Sequence, residues 1–238
     1  MTRRPPSYVA RRMFDREAAD YDRTARVSMP AYSDLHRMLL GGIPYARTRA
    51  FHILELGVGT GTLSFLLLAE FPHAHLTGID LSPRMIARAR AKLRPFRDRA
   101  ELFSCDIAKF EERPYDAVVS ALAIHHLTDP EKWRLFRRVR RSLPPGGFFG
   151  DADDHLAEDP TFDSRWAQVA STIGIGGPGP GGKRTVRGSP PQAVWHEHER
   201  FDHPVTLSAE VEALQRAGFS HVGVPWRFFG QAVVWAYK

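Results

Sequence analysis

A glycine-rich turn between a short apolar run and a helical segment limits most strongly how this chain folds. The run Phe51–Leu56 leads directly into GVGTG (57–61), and Thr62–Glu70 follows with helical character. Glycine allows the backbone to turn sharply and to approach a ligand closely, and the N-terminus of the following helix presents unpaired N–H groups. The sequence therefore predicts a β-strand, a ligand-binding turn and an α-helix in succession.

The same alternation of strands and helices continues as far as residue 151. It is typical of a parallel sheet that is covered by helices on both faces. After a long break, a helix at Ser208–Ala217 and two alternating runs, His221–Phe228 and Gln231–Tyr237, predict a closing antiparallel pair. The earlier predicted elements are strands at Phe51–Leu56, Ala74–Asp80, Ala100–Phe103, Tyr115–Ser120 and Gly147–Asp151, and helices at Thr62–Glu70, Ser82–Leu93 and Pro130–Leu143.

Composition divides the chain into four segments. The first is basic and then amphipathic, with one short helix over FDREAADYDR that ends before Pro30 and a second over 31–50 that Gly41 and Gly42 break. The third has a centre so rich in Gly and Pro that a packed element is not expected there. We predict a helical lid (1–50), a ligand-binding core (51–151), a substrate-covering insertion (152–205) and a helix with two strands that completes the core (206–238).

Charge and cysteine content exclude several classes of protein. The net charge is +6, but the arginines concentrate in two amphipathic helical stretches, 84–99 and 134–141, where they are expected to face solvent. We therefore do not expect a nucleic-acid partner. The lone Cys105 cannot form an intrachain disulfide or a cysteine-built zinc site. The longest apolar stretch, Leu63–Ala69, is far shorter than the ~20 residues that cross a bilayer. We expect a cytoplasmic monomer or homodimer that does not bind membranes.

Three acidic residues follow the predicted strands and indicate the kind of ligand. Glu55 precedes a GxGxG turn, which differs from the GxGxxG fingerprint of dinucleotide-binding proteins. A carboxylate at this place would repel a pyrophosphate but would suit a ligand that carries positive charge. Asp80 ends the second strand, where an acid accepts hydrogen bonds from ribose hydroxyls, and Asp106 follows the third strand, within reach of an adenine amino group.

The order of ELGVGTG, GIDLSPRMI, CDIAKF, YDAVVSALAIHHL and RSLPPGGFF resembles the class I methyltransferases that depend on S-adenosylmethionine (SAM), in particular their small-molecule branch. It is also similar to the carboxy-SAM enzymes of tRNA wobble-uridine modification. The resemblance implies SAM as cofactor and a Rossmann-like, doubly wound α/β sheet of seven strands in the order 3-2-1-4-5-7-6, the last antiparallel. It assigns cofactor binding to Tyr21, Glu55, Gly57, Gly59, Gly61, Asp80, Leu81, Met85, Asp106, Ile107 and Ala121.

Two adjacent histidines, His125 and His126, follow the fourth strand and are the candidates for catalysis. Histidine has the right unperturbed pKa for a general base at neutral pH. Arg26 in the lid is a candidate for contact with an acidic substrate, and His155 for contact with the acceptor.

Two groups of side chains could bind a metal ion, but both are weak candidates. Asp151, Asp153 and Asp154 follow the fifth predicted strand, where carboxylates could bind magnesium, but an ordinary solvated loop is expected. A second group, His196, His198 and His203, lacks a fixed partner for zinc and is expected to line the substrate pocket instead. We predict no metal ion.

The leading hypothesis is a SAM-dependent methyltransferase that acts on a small molecule, such as a secondary metabolite. A tRNA-modifying enzyme of the same fold is one alternative, and a SAM-binding protein or cyclase that transfers no methyl group is another. The GxGxG spacing and Glu55 disfavour a nicotinamide-dependent oxidoreductase.

Overall fold

A seven-stranded sheet of order β3-β2-β1-β4-β5-β7-β6 forms the centre of the computed structural model, which describes residues 6–29, 31–159, 161–162, 165, 169 and 202–238. Strands β1 to β5 are parallel to their neighbours, and β7 runs antiparallel to both β5 and β6. The predicted topology is therefore confirmed. The strands are β1 Phe51–Leu56, β2 Ala74–Asp80, β3 Ala100–Ser104, β4 Ala117–Ala121, β5 Phe148–Asp154, β6 His221–Phe228 and β7 Gln231–Tyr237.

Helices cover both faces of the sheet because its central strands are apolar on both sides. On β1, Ile53 packs into one core with the helices at Tyr32–Gly41 and Thr62–Glu70, whereas Leu54 packs into a second core with the helices at Asp129–Ser142 and Leu207–Ala217. Both residues are fully buried. The helices are α1 Pro6–Glu17, α2 Tyr21–Ser28, α3 Tyr32–Gly41, α4 Thr62–Glu70, α5 Pro83–Lys92, α6 Asp129–Ser142 and α7 Leu207–Ala217.

The N-terminal segment differs from the prediction of a single helix before Pro30. It forms two helices, α1 and α2, separated by a turn at residues 18–20. The turn allows α1 to lie against α5 while α2 packs against α3. This division matters for the site, because α1 and α2 then reach different parts of the same cleft.

The acidic run after the fifth predicted strand is also different from the prediction. It belongs to β5, which ends at Asp154, and it is not a solvated loop. Asp151 and Asp153 are fully buried, since β7 pairs with this part of β5 on one side and β4 with its beginning on the other. Burying carboxylates in a strand is normally unfavourable, and here the two carboxyl groups lie among side chains from distant elements.

The two ends of the predicted insertion meet beside the sheet. The backbone N–H of Leu156 donates to the carbonyl of Val205 at 2.9 Å. Residues 170–201, which include the Gly- and Pro-rich centre and His196 and His198, lie outside the described residues. Among the residues that are described, no helix is long and apolar enough to cross a bilayer.

Candidate active site

A cavity of about 350 Å³ lies at the carboxyl ends of β1, β2 and β4, beneath α1 and α2. This is the edge at which open parallel sheets bind ligands. Ten of the eleven residues that the sequence assigns to the cofactor line the cavity: Tyr21, Glu55, Gly57, Gly59, Asp80, Leu81, Met85, Asp106, Ile107 and Ala121.

The eleventh residue, Gly61, serves packing within the protein. The glycine loop needs left-handed backbone at Gly57, Gly59 and Gly61, with φ values of 75°, 52° and 84°. A Cβ on Gly61 would lie 3.1 Å from the Cα of Ala89 in α5, so this glycine faces a neighbouring helix. Among the described residues, apart from its neighbours in the chain, no atom lies nearer than 4.0 Å to a Cβ built on Gly59, so the backbone of Gly59 borders open space.

Asp80 links the glycine loop to the N-terminus of α5. Its Oδ2 accepts the backbone N–H of Gly59 at 2.9 Å, and its Oδ1 accepts the backbone N–H of Ser82 at 2.8 Å. Burial raises the pKa of Asp80 to about 6, although both hydrogen bonds oppose that rise. An ionised carboxylate has about four acceptor positions. Asp80 therefore keeps acceptor capacity for hydroxyl groups of a ligand in the cavity.

Glu55 is a buried carboxyl group at the end of β1. The Ser64 hydroxyl donates to its Oε2 at 2.5 Å. Burial raises the pKa of Glu55 to about 8, against the effect of that hydrogen bond. A cation in the cavity would favour the ionised form of this group. Together with Asp80 and Asp106, Glu55 gives the cavity a set of carboxyl groups that fits a positively charged nucleoside such as SAM.

Two aspartates attach the N-terminal helices to opposite sides of the cleft. The Ser82 hydroxyl donates to Asp15 of α1 at 2.5 Å. In α2, Asp22 accepts a hydrogen bond from Lys92 of α5 at 2.7 Å and from the hydroxyl of Thr60 in the glycine loop. The lid is therefore docked on the loop and on α5. Its side chains Phe14 and Tyr21 line the cavity from above.

His125 is a buried cation beside the cavity. Its Nδ1 and its backbone N–H both contact the carboxylate of Asp153 in β5. Burial alone would lower the pKa of His125, but Asp153 raises it to about 9. His125 is not among the described residues that line the cavity. This position is consistent with a fixed positive charge beside the cavity and not with direct contact with the substrate.

His126 lines the cavity and has the opposite electrostatic environment. Its Nδ1 lies 2.8 Å from Oδ1 of Asp202, a residue that the sequence analysis did not select. Burial and the adjacent His125 lower the pKa of His126 to about 4. The imidazole is therefore neutral near pH 7, and Asp202 engages only one of its two nitrogens.

His125, His126 and Asp202 are close enough to be considered as metal ligands. One ligand atom of each lies within 4.8 Å of the others. However, the 2.8 Å separation of His126 Nδ1 and Asp202 Oδ1 is that of a direct hydrogen bond, with a proton between the two atoms. A metal ion would take the place of that proton, so the geometry favours a hydrogen-bonded pair.

The two predicted substrate contacts lie elsewhere. Arg26 is exposed on α2 and is not among the described residues that line the cavity. His155 is buried outside the cavity, with its Nε2 2.8 Å from Oε2 of Glu210 in α7. His203, in contrast, lines the cavity as expected from its place after the insertion.

Comparison with known proteins identifies the family. Residues 53–147 match the family model described as a methyltransferase domain. Over 157 residues the chain is 31% identical to an uncharacterised methyltransferase of Geobacillus kaustophilus, covering 63% of this chain and 69% of that protein. Over 229 residues it is 22% identical to the carboxy-S-adenosyl-L-methionine synthase of Nautilia profundicola, covering 94% of each.

Solved structures share the fold. The phosphoethanolamine N-methyltransferase 2 of Haemonchus contortus, in complex with S-adenosyl-L-methionine, superposes with a TM-score of 0.61 at 21% identity, over 88% of this chain and 43% of that one. The chain spans little more than half the length of other matching structures. With the sheet order and the sequence match to a curated methyltransferase, these findings place the chain in the class I SAM-dependent methyltransferase family.

Proposed function

We propose that this methyltransferase acts on a small molecule whose accepting atom gives up a proton to His126. The observation that carries the proposal is the cavity, about 350 Å³ in volume, whose lining includes side chains of α1 and α2. Its size is in the range of sites for small ligands, roughly 300–1,000 Å³. Besides the cofactor candidates, its walls include Phe14, Tyr32 and Leu127. These side chains favour an acceptor with an apolar or aromatic body.

The proposed cofactor contacts follow from the family resemblance and from the residues that line the cavity. Asp80 accepts hydrogen bonds from the ribose hydroxyls, and Glu55 provides a carboxylate for the positively charged methionine part. Leu81 and Met85 flank the adenine, with Asp106 and Ile107 at its edge. The backbone of Gly59 leaves room beneath the methionine part, and Gly57, Ala121 and Tyr21 complete the site. Bound SAM supplies an electrophilic methyl group, whose carbon–sulfur bond breaks with the electron pair left on sulfur.

The protein contributes alignment and one base. Holding the two reactants in line contributes on the order of 7–11 kcal/mol at best, so methyl transfer needs no nucleophile from the protein. His126 is neutral near pH 7 and borders the cavity, so it has a lone pair that can accept a proton from a hydroxyl or amine, although its lowered pKa makes it a weaker base than an unperturbed histidine. A positioned base of this kind contributes about 10²–10⁴ in rate.

A tRNA substrate is the second candidate, and the net charge of +6 favours it. The structure gives these arginines other partners. Arg99 donates to the carbonyls of three residues around α4 and β2, and Arg90 donates to the carbonyl of Leu102. Arg138 and Arg141 both pair with Glu112. Side chains committed in this way support a structural role for these four arginines.

Methyl incorporation tests the proposal directly. The full chain is incubated with methyl-labelled SAM and either a panel of small hydroxyl and amine compounds or bulk tRNA. We expect label in one small molecule and a loss of about 10²–10⁴ in rate for His126→Ala. The exposed His73→Ala is the matched control. Label found in tRNA alone would establish the second candidate, and SAM binding without transfer to any acceptor would indicate a binding protein.

A further inference from the structure

We propose that Asp202 is a positioning residue for methyl transfer, because its carboxylate holds the His126 imidazole in the tautomer whose Nε2 accepts the proton. This inference rests on the proposed function for its catalytic consequence. The tautomer itself is a property of the resting protein and can be measured without an acceptor.

The contact between the two side chains fixes where the proton lies. His126 Nδ1 is 2.8 Å from Asp202 Oδ1, and the two side chains are 16% and 25% exposed. An ionised carboxylate can only accept a hydrogen bond, so Nδ1 of the neutral imidazole must carry the hydrogen. The lone pair is then on Nε2. The edge-to-face contact with Phe14, at 5.0 Å between ring centroids, limits rotation of the imidazole.

Asp202 is itself held in place by its neighbour in the chain. The backbone N–H of His203 donates to the carbonyl of His125 at 2.7 Å. The carbonyl of His203 accepts a hydrogen bond from Lys132 of α6, whose side chain is buried. These contacts tie the segment that carries Asp202 to the turn that carries the histidine pair. The carboxylate is thus presented to His126 by a fixed backbone.

The neighbouring ion pair separates the roles of the two histidines. His125 is paired with Asp153, and its ring lies 3.9 Å from the ring of His126. The cationic His125 disfavours a second positive charge, so His126 is neutral before the reaction. When Nε2 accepts the proton from the substrate, the imidazolium forms against Asp202, and the proton then passes to solvent. Asp202 therefore both selects the tautomer and stabilises the charged product form of the base.

Nitrogen NMR of histidine-labelled full-length protein with bound S-adenosylhomocysteine tests the assignment. His126 is identified by the signal lost in His126→Gln. We expect the Nδ1–H tautomer in the wild type and a mixture of the two tautomers in Asp202→Asn, because the asparagine amide can either donate to Nδ1 or accept its hydrogen. Asp129→Asn removes a charge from the neighbouring helix, where Asp129 lies 3.8 Å from Lys132, and should leave the tautomer unchanged.

Kinetics adds a second readout once an acceptor is known. We expect Asp202→Asn to lower kcat by about 10- to 100-fold, since the wrong tautomer removes part of the contribution of a general base. The KM for SAM should change by less than about twofold, because Asp202 is not among the described residues lining the cavity. Asp202→Glu keeps the carboxylate and should recover part of the rate.

The Nε2–H tautomer in the wild type would overturn the assignment. If Asp202→Asn fails to fold, the wild-type spectrum still decides the point. Tight binding of added Zn²⁺ that is needed for methyl transfer would also overturn it, in favour of a metal site. Absence of methyl transfer by the wild type to any small molecule would instead count against the proposed function, whatever the tautomer.

Discussion

Replacement of Glu55 by Gln should make SAM binding insensitive to pH. The carboxyl group is fully buried at the end of β1, and burial raises its pKa to about 8. At pH 7 it is therefore mostly protonated in the free protein. A cation about 4–6 Å away favours the ionised form and lowers the pKa of a carboxyl group by about 1 to 3. Binding of SAM should consequently release a proton from Glu55.

The size of the effect follows from these values. A pKa that falls from about 8 to between about 5 and 7 releases roughly 0.4–0.9 protons per bound cofactor at pH 7. The same shift strengthens SAM binding by roughly 5- to 25-fold between pH 6.5 and pH 8.5. The sign is fixed by linkage: the bound state holds fewer protons, so affinity rises with pH. Glutamine resembles the protonated carboxyl group, so Glu55→Gln should lose this dependence.

Calorimetry at pH 6.5, 7.5 and 8.5, in two buffers with different ionisation enthalpies, measures both the affinity and the proton release. Glu131→Gln is the matched control, since Glu131 also lines the cavity but Thr128 lowers its pKa by donating hydrogen bonds to it. This control should keep the pH dependence of the wild type. A wild-type affinity that does not change over this range, or a pH dependence that Glu55→Gln retains, would refute the reasoning.

Three further changes have defined outcomes. Asp80→Ala should weaken SAM binding by ~1.5–3 kcal/mol in calorimetry, because charge-assisted hydrogen bonds to the ribose are lost; unchanged affinity would place the ribose elsewhere. Asp22→Ala should speed amide hydrogen exchange in Tyr21–Ser28, because α2 loses its contacts with Lys92 and the glycine loop; unchanged exchange would mean that these contacts do not dock the lid. Asp151 is fully buried, and burial and Glu210 raise its pKa, so its contribution to stability is lost as pH rises from the unfolded pKa through the folded pKa. Asp151→Asn should therefore be more stable than the wild type at pH 8 in urea unfolding, but not at pH 4, and a variant that is less stable at pH 8 would contradict this.

The fold could be predicted from the sequence because its signals are local. The first strand, the helix Thr62–Glu70 and the second strand have the predicted bounds, and Ser82 caps α5 as its place before Pro83 indicates. Each of these elements depends on periodicity, glycine or capping within a few residues.

The arrangement of the two histidines depends instead on contacts between distant parts of the chain. Asp202 lies 76 residues after His126, and Asp153 lies 28 residues after His125. Nothing near Asp202 in the sequence indicates which histidine it meets, apart from its place in a histidine-rich segment. The local pattern predicts a loop for the acids of β5, because their buried partners come from other elements that this pattern does not contain.

The position of β7 has a consequence for how the protein is made. This strand pairs with β5 on one side and β6 on the other, although it follows both in the chain. During synthesis from the N-terminus, β5 therefore keeps an unpaired edge until residues 231–237 have left the ribosome. That edge includes the buried acids and offers free backbone groups to other chains. Chains truncated before β7 should thus aggregate on the ribosome or soon after release, even though every residue of the glycine loop has already been made.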